Sequence, residues 1–404
     1  MLKCSKADNL PGIRLLSVAG KVFTHILLER LVAVVEGKIS EPRSGFLIYT
    51  LRRVLEQARD KKVTLYMCFI DLKAAYDSVR RNDLWATVEE YGVSSKLCRL
   101  LKTLYVGTQA SVRVEGELTD WFEVKCGLRQ GCLLSPALFN VFMDRVVRRA
   151  LAGMNHGVRV NYRLPDGRVH LGDDVRGSFL LFDLLYADDL VIICESEEAL
   201  EEAVMRLEQA TQDAGLTISV KKTKYLITEG DGNEKPDIDL RIRGDNVERV
   251  SEFVYLGSSV NVDSACNREV DRRVALGAWR FSELRKPVWS QDCISLRTKM
   301  QIYRAMVMSV VLYGSESWTC TDQDYAKLNT FHNKNLRSLL GMKKSDIGNE
   351  ELYRLTGSCS LEAYVRKYRL RWAGHVRRMN ADRIPKRILF GELGKRGMVL
   401  PKMN

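Results

Sequence analysis

The sequence predicts an α+β fold in which an antiparallel sheet packs against helices on one face. Three observations point there. Val63 to Ile70 is an almost continuous apolar run of strand length. A strand apolar on both faces sits inside a covered sheet. Phe179 to Cys194 reads as strand, tight turn and strand, with Ala187, Asp188 and Asp189 in the turn. The order strand, helices, hairpin, helix and strand is that of α+β proteins.

The elements follow in order. Residues 15–36 carry Leu15, Val18, Val22, Ile26, Leu27 and Leu31 at helical spacing. A second helix covers 48–60, and the Val63–Ile70 strand then ends at Asp71. Leu84, Trp85, Val88 and Tyr91 form one stripe, closed by Gly92. Ser94 caps the next helix, with Leu97, Leu100, Leu101 and Leu104 on its face. Residues 109–124 form a hairpin turning at Glu115-Gly116. Pro136 stands at a helix start, and Leu138, Phe139, Phe142 and Val146 carry that helix to about Ala150. Residues 153–178, rich in Gly, Arg and Asp, read as an exposed insertion. Ser196 caps a helix with an acidic first turn and a stripe of Leu200, Val204, Leu207 and Ala214, ended by Gly215. Leu216, Ile218 and Val220 alternate as a strand, 231–236 is turn-rich, and a strand pair runs to about Val260. Residues 268–345 are mostly helical, and the tail from Tyr364 is dense in Arg and Lys.

Composition narrows the function classes. Of 404 residues, 46 % are hydrophobic, enough for a real core. Lys plus Arg number 63 against 51 Asp plus Glu, a formal net charge of +12, which favours polyanion partners, nucleic acid first. The ten cysteines are scattered and no C-x-x-C occurs, which argues against a zinc ribbon or a disulfide scaffold and for reduced thiols. No run of about 18 apolar residues exists, and Met1 to Leu10 lacks a signal-peptide core. The expectation is an intracellular protein, in nucleus or cytoplasm, with no membrane span.

Asp71, Asp188 and Asp189 carry the chemistry. Two carboxylates about 4 Å apart repel by roughly 4 kcal/mol at an effective dielectric of 20. A cation between them relieves that, and hard oxygen ligands suit Mg²⁺. Two such ions can activate a primer 3′-hydroxyl and stabilise leaving pyrophosphate. Taken alone, Asp188-Asp189 reads as a polar hairpin turn and Asp71 as a strand-end cap; the surrounding motifs change that balance.

Phe69-Ile70-Asp71-Leu72-Lys73-Ala74-Ala75-Tyr76-Asp77-Ser78-Val79 resembles motif A of non-LTR (LINE-type) retrotransposon reverse transcriptases. Leu128-Arg129-Gln130-Gly131-Cys132-Leu133-Leu134-Ser135-Pro136 resembles motif B, and Tyr186-Ala187-Asp188-Asp189 the Y-x-D-D box of motif C. Gly215-Leu216 through Lys221-Lys222-Thr223-Lys224 is similar to motif D, and Tyr255-Leu256-Gly257 to the primer grip. Trp318, Arg371-Trp372 and Gly374-His375 are similar to the C-terminal regions of these elements.

The resemblance implies a right-hand polymerase: truncated fingers over 1–62, palm over 63–265 with its insertion at about 153–178, helical thumb over 266–345, and a basic C-terminal region over 346–404. It implies an RNA-directed DNA polymerase working on an RNA template, a DNA primer and dNTPs with two Mg²⁺, for which Mn²⁺ can stand in. Asp71, Asp188, Asp189 and the Leu72 carbonyl would hold metal. Tyr76 would sit under the sugar of the incoming nucleotide, and Gln130 and Gly131 would contact the template–nucleotide pair. Lys222 would protonate pyrophosphate, with Lys221 and Lys224 as competitors. Tyr255, Leu256 and Gly257 would grip the primer. Arg268, Arg272 and Arg273, with Arg280, would track a duplex backbone from the thumb. Basic and aromatic residues also interleave from Arg366 onward, a pattern that suits RNA or a solvated helix alike.

The family's N-Y-R-G-I run stands here as Asn9-Leu10-Pro11-Gly12-Ile13, with Arg14 nearby. Ser44-Gly45-Phe46 leads straight into Leu47-Ile48-Tyr49-Thr50 without the family's Arg-containing loop. Two functions follow from the same residues: a working polymerase, or a truncated or domesticated copy that binds RNA or DNA without catalysis. RNA-templated RNA synthesis is a third, since the palm is shared.

Overall fold

The computed structural model describes residues 17–39, 44–114, 117–164, 175–228, 237–263 and 265–394. Leu15, the Asn9–Ile13 run, Arg14, the Glu115-Gly116 turn and the 231–236 gap lie outside them.

The apolar run becomes the middle strand of a five-stranded sheet. The order is Glu248–Arg249, Lys224–Ile227, Tyr66–Ile70, Asp189–Cys194, Asp183–Tyr186. Neighbours are antiparallel except the first pair, which is parallel. Because side chains alternate along a strand, Cys68, Ile70, Ile192 and Tyr225 face one side of the sheet. They bury against Phe139 and Phe142 of helix Ser135–Ala150 and Leu200 and Leu207 of helix Glu197–Asp213. Met67, Phe69, Val191, Ile193 and Leu226 face the other side. Helix Ser44–Lys61 covers that side through Leu51 and Leu55. The α+β class stands, with both faces of the sheet covered, as a strand apolar on both sides requires.

Four local readings are corrected. The 153–178 segment is no exposed loop where it is described. Val158–Leu164 and Val175–Leu181 pair, and Gly391–Leu393 adds a third strand. Val158 and Val160 are buried while Arg159 is exposed, a period of two that the Gly and Arg content masked. Phe179–Leu181 belongs to this second sheet, and the chain breaks before Asp183. Leu216–Val220 makes only an isolated bridge, Leu72 to Ile218, and the strand is Lys224–Ile227. In helix Val18–Val35 the buried face is Thr24, Leu27, Leu31 and Val35, whereas Val18, Val22 and Ile26 are exposed. A helix apolar almost all round has no periodicity to choose its inner face.

A third core, from Cys266 to Val365, gathers Tyr303, Trp318, Leu328, Leu336 and Leu361. It includes helices Asn267–Glu283, Asp322–Leu340 and Leu361–Arg377. Among the described residues no helix is long and apolar enough to cross a membrane.

Candidate active site

Strand pairing carries Asp71 to the other two acids. Ile70 is paired with Leu190, and Tyr186 with Asp189 across the hairpin. The next position in that antiparallel register sets Asp71 beside Asp189. Ala187 makes the two-residue turn with φ +54°, a conformation that costs a residue with a Cβ about 1–2 kcal/mol and that hairpin turns require. Asp188 and Asp189 are exposed at this turn.

The three acids feel one another. The Asp189 carboxyl is pushed up to about 6, by desolvation first and then by the negative charges of Asp188 and Asp71. Since the residue is open to water, solvent screens part of that repulsion. Oδ1 of Asp71 is buried and accepts no hydrogen bond. Lys222 Nζ stands 3.4 Å from it. Among the described residues no three His, Cys, Asp or Glu side chains form a ready-made metal cage. The donor set is nevertheless one of hard carboxylate oxygens with an orphaned buried atom, which fits a divalent cation such as Mg²⁺.

A short turn delivers Lys222. The Ser219 N–H donates to the Asp71 carbonyl at 2.8 Å, and the Lys222 and Thr223 N–H groups donate back to Ser219 O at 3.0 and 2.9 Å. Thr223 Oγ1 accepts from the Asp71 N–H at 3.3 Å. The competing lysines are separated by this geometry. Lys224 is committed to Glu248 at 2.6 Å, and Lys221 is exposed with its carbonyl accepting from Lys224. The Leu72 side chain is buried and its backbone bridges Ile218.

Tyr76 is half-buried, its ring stacked on Phe139 at 4.3 Å and 15°. Its hydroxyl is pushed up to about 12 by burial first, then by the charge of Asp188 and by Tyr186. The loop before helix Ser135–Ala150 is stitched to this segment. Leu128 N–H donates to Tyr76 O at 2.8 Å and Gly127 N–H to Val79 O at 2.9 Å. A Cβ on Gly127 would meet the Asp77 carbonyl oxygen at 2.8 Å, so only glycine fits. Gln130 Nε2 donates to both Asp77 oxygens at 3.2 Å, and Gly131 takes φ +91°.

Tyr255 ends the strand Glu252–Tyr255, and its hydroxyl donates to Leu184 O at 2.9 Å, in the first strand of the hairpin that turns at Ala187-Asp188. Leu256 and Gly257, at φ +48° and +74°, form the turn to Ser258–Asn261. Two positive φ values are the signature of a type I′ hairpin turn. Arg272 Nη1 donates to Gly257 O at 3.1 Å, Arg273 Nη2 donates to the same oxygen, and Tyr313 Oη donates to Leu256 O at 2.9 Å.

This corrects the reading of Arg273 as a duplex contact. It is buried, and Glu269, itself 1 % exposed, takes its Nε at 2.7 Å. A buried guanidinium is held by its partner carboxylate and cannot reach a nucleic-acid backbone. Arg268 stays exposed, 3.8 Å from Asp263 and 3.9 Å from Glu252, and Arg272 is partly exposed. Sequence reasoning missed Asp77, the anchor for Gln130, although it stands inside the same motif. It missed Arg52 too. That residue donates from a buried position in helix Ser44–Lys61 to Ser258 Oγ at 2.8 Å and Ser259 O at 3.0 Å. Nothing local marks Arg52, because its partners lie some two hundred residues away.

Comparison with known proteins adds the family. Residues 5–260 match the family model described as reverse transcriptase (RNA-dependent DNA polymerase). The chain is 27 % identical over 227 residues to a Pol polyprotein from the type-1 retrotransposable element R2 of Nasonia vitripennis, covering 54 % of this chain and 20 % of that protein. It is 22 % identical over 352 residues to the RNA-directed DNA polymerase from the mobile element jockey of Drosophila funebris, covering 83 % of this chain and 36 % of that protein. The chain thus spans between a fifth and two-fifths of these two relatives. Among solved structures, apo telomerase from Candida tropicalis is 13 % identical with a TM-score of 0.43, covering 92 % of this chain and 60 % of that one.

Proposed function

The chain belongs to the reverse transcriptase (RNA-dependent DNA polymerase) family, and from that premise we propose that it extends a DNA primer along an RNA template with dNTPs. The observation that carries this reading is the register that sets Asp71 beside Asp189 at the Tyr186–Asp189 turn. In this reading Asp71, Asp188, Asp189 and the Leu72 carbonyl hold two Mg²⁺ or Mn²⁺. Bound there, the ions supply charge neutralisation for the transferred phosphoryl group and acidify the primer 3′-hydroxyl.

The chain's own groups do the rest. The nucleophile is the primer hydroxyl, not a protein side chain. Lys222, already beside Asp71, gives a proton to the departing pyrophosphate. Tyr76, braced by Phe139, fills the space a ribose 2′-hydroxyl would need. Gln130, held by Asp77, and the neighbouring Gly131 lie against the template–nucleotide pair. The Tyr255–Gly257 turn steadies the primer end, and Arg268 and Arg272 follow the duplex backbone through sequence-blind, salt-sensitive contacts. We divide the chain accordingly into fingers within 1–62, palm over 63–265, thumb over 266–345 and a basic C-terminal region.

Primer extension on an RNA template with Mg²⁺ or Mn²⁺ tests this. Extension that disappears in Asp188→Asn is the expected result. No extension, with salt-sensitive RNA binding retained, would make the chain a non-catalytic nucleic-acid-binding member of the family.

A further inference from the structure

Away from the carboxylates, helices Ser44–Lys61 and Leu361–Arg377 leave a cleft of about 550 Å³, with the Ser315–Ser317 turn as its floor. That volume lies within the range of sites for small organic ligands. The walls are aromatic. Tyr49 and Trp372 meet at 5.8 Å and 58°, and Phe46 backs Trp372 at 5.0 Å.

The cleft is rich in donors that lack acceptors. The indole N–H groups of Trp318 and Trp372 are buried and make no hydrogen bond, and Trp318 is 0 % exposed. Arg369 also lines the cleft and has no carboxylate within ion-pair distance among the described residues. Arg53 and Arg366 flank it, each on one acid, Glu56 at 3.4 Å and Glu362 at 2.6 Å, with 39 % and 66 % of their side chains exposed. Glu316 is the half-buried acceptor inside, its carboxyl pushed up by partial burial.

A ligand that suits this lining brings a negative charge and a flat π surface, plus one donor for Glu316. A nucleotide has all three: phosphate, a planar base and an amino or imino N–H. An acidic peptide offers the charge without the plane that the aromatic walls are shaped to take. We propose that this cleft is a second nucleic-acid site that holds an unpaired nucleotide, its base against Tyr49 and Trp372 and its phosphate on Arg369 and Arg366. The nucleotide belongs to a single-stranded RNA or is free in solution. That the strand is a template rests on the polymerase reading above; the chemistry of the cleft does not.

Fluorescence-anisotropy titration of the full chain with a labelled single-stranded RNA tests the site. Arg369→Glu and Arg366→Glu, both at exposed positions that a folded chain tolerates, are expected to weaken binding about 10-fold or more, the size of one lost base or phosphate contact. Arg377→Glu makes the same charge change on the same helix outside the cleft and is expected to cost far less. Equal losses in all three variants, or none, would overturn the proposal. Competition by adenosine monophosphate that is lost in Arg369→Glu identifies a free nucleotide as an occupant; RNA binding without such competition identifies a strand. Poly-glutamate displacing the RNA with the same Arg369 dependence would overturn it in favour of an acidic peptide. Extension on the RNA template, measured on the same preparations, separates the two readings. Failure of extension with Arg369-dependent binding intact removes only the polymerase, and normal extension with indifferent binding removes only the cleft.

Discussion

Lys222 faces Asp71 across 3.4 Å, delivered by a turn whose first N–H is bonded to the Asp71 carbonyl. The two backbones are therefore held side by side by this turn, and the 69 % exposed lysine side chain reaches the acid from it.

Replacing Lys222 separates charge from proton transfer. Lys222→Ala is expected to slow single-turnover nucleotide incorporation about 100-fold, the usual range for one general acid. Lys222→Arg keeps the charge but holds its proton too tightly to donate it, so it should be almost as slow. Full recovery in the arginine variant would assign Lys222 to electrostatics alone. Lys221→Ala is expected to leave the rate unchanged.

Tyr76 stacks on Phe139 and feels the charge of Asp188. Tyr76→Ala is expected to reduce the preference for dNTPs over rNTPs about 10-fold or more, since a site loses discrimination when the group that excludes a hydroxyl is removed. Tyr76→Phe keeps the ring and should keep the preference. Steady-state incorporation of matched dNTP and rNTP on one template measures both. Unchanged sugar choice in Tyr76→Ala would remove the residue from that role.

The Glu269–Arg273 pair joins helix Asn267–Glu283 to the Leu256-Gly257 turn. Glu269 also accepts from the Ser259 N–H at 2.8 Å. Arg273→Ala removes the closer of Glu269's two arginines and leaves Arg272 at 3.5 Å, and we expect a loss of about 3 kcal/mol in urea unfolding. Arg273→Ala with Glu269→Ala should cost less than the two single changes added together. Strict additivity would show that the pair does not act as a unit.

His332 makes stability pH-dependent. Its ring lies between Tyr303 Oη at 2.9 Å and Ser358 Oγ at 3.1 Å, and it is fully enclosed. Burial lowers its pKa from 6.5 to about 4, and the Arg304 charge adds to that. The unfolded chain therefore binds the proton more readily than the folded one. The contribution is fully present above pH 6.5 and is lost as pH falls from 6.5 towards 4, on the order of 3 kcal/mol in all. Urea midpoints across this window should fall in the parent and flatten in His332→Asn. A parent curve with no slope there would show that His332 is protonated freely in the folded state.

The sheet's central strand was readable from Val63–Ile70 alone, because an apolar run of that length has few other homes. Asp71, Asp188 and Asp189 were readable as well, since each ends or turns an apolar strand. The resemblance supplied their grouping. The 158–164 and 175–181 strands were not readable, because buried Val158 and Val160 alternate with polar residues in a stretch whose glycines and arginines mimic a loop. Nor was the inner face of Val18–Val35, where apolar residues go all the way round.

Local pattern by itself therefore determined the central strand, the Ser94 and Ser196 caps and the placing of the three acids at a strand end and a hairpin turn, since propensity, alternation and turn chemistry act between near neighbours. Tertiary structure alone decided which lysine meets Asp71, that Arg273 is an internal strut and not a surface cation, and that Trp318, Trp372 and Arg369 share one cleft. Those outcomes depend on contacts between residues tens to hundreds of positions apart. Whether such a charge is solvated or buried is set by what packs over it, and no window along the chain contains that information.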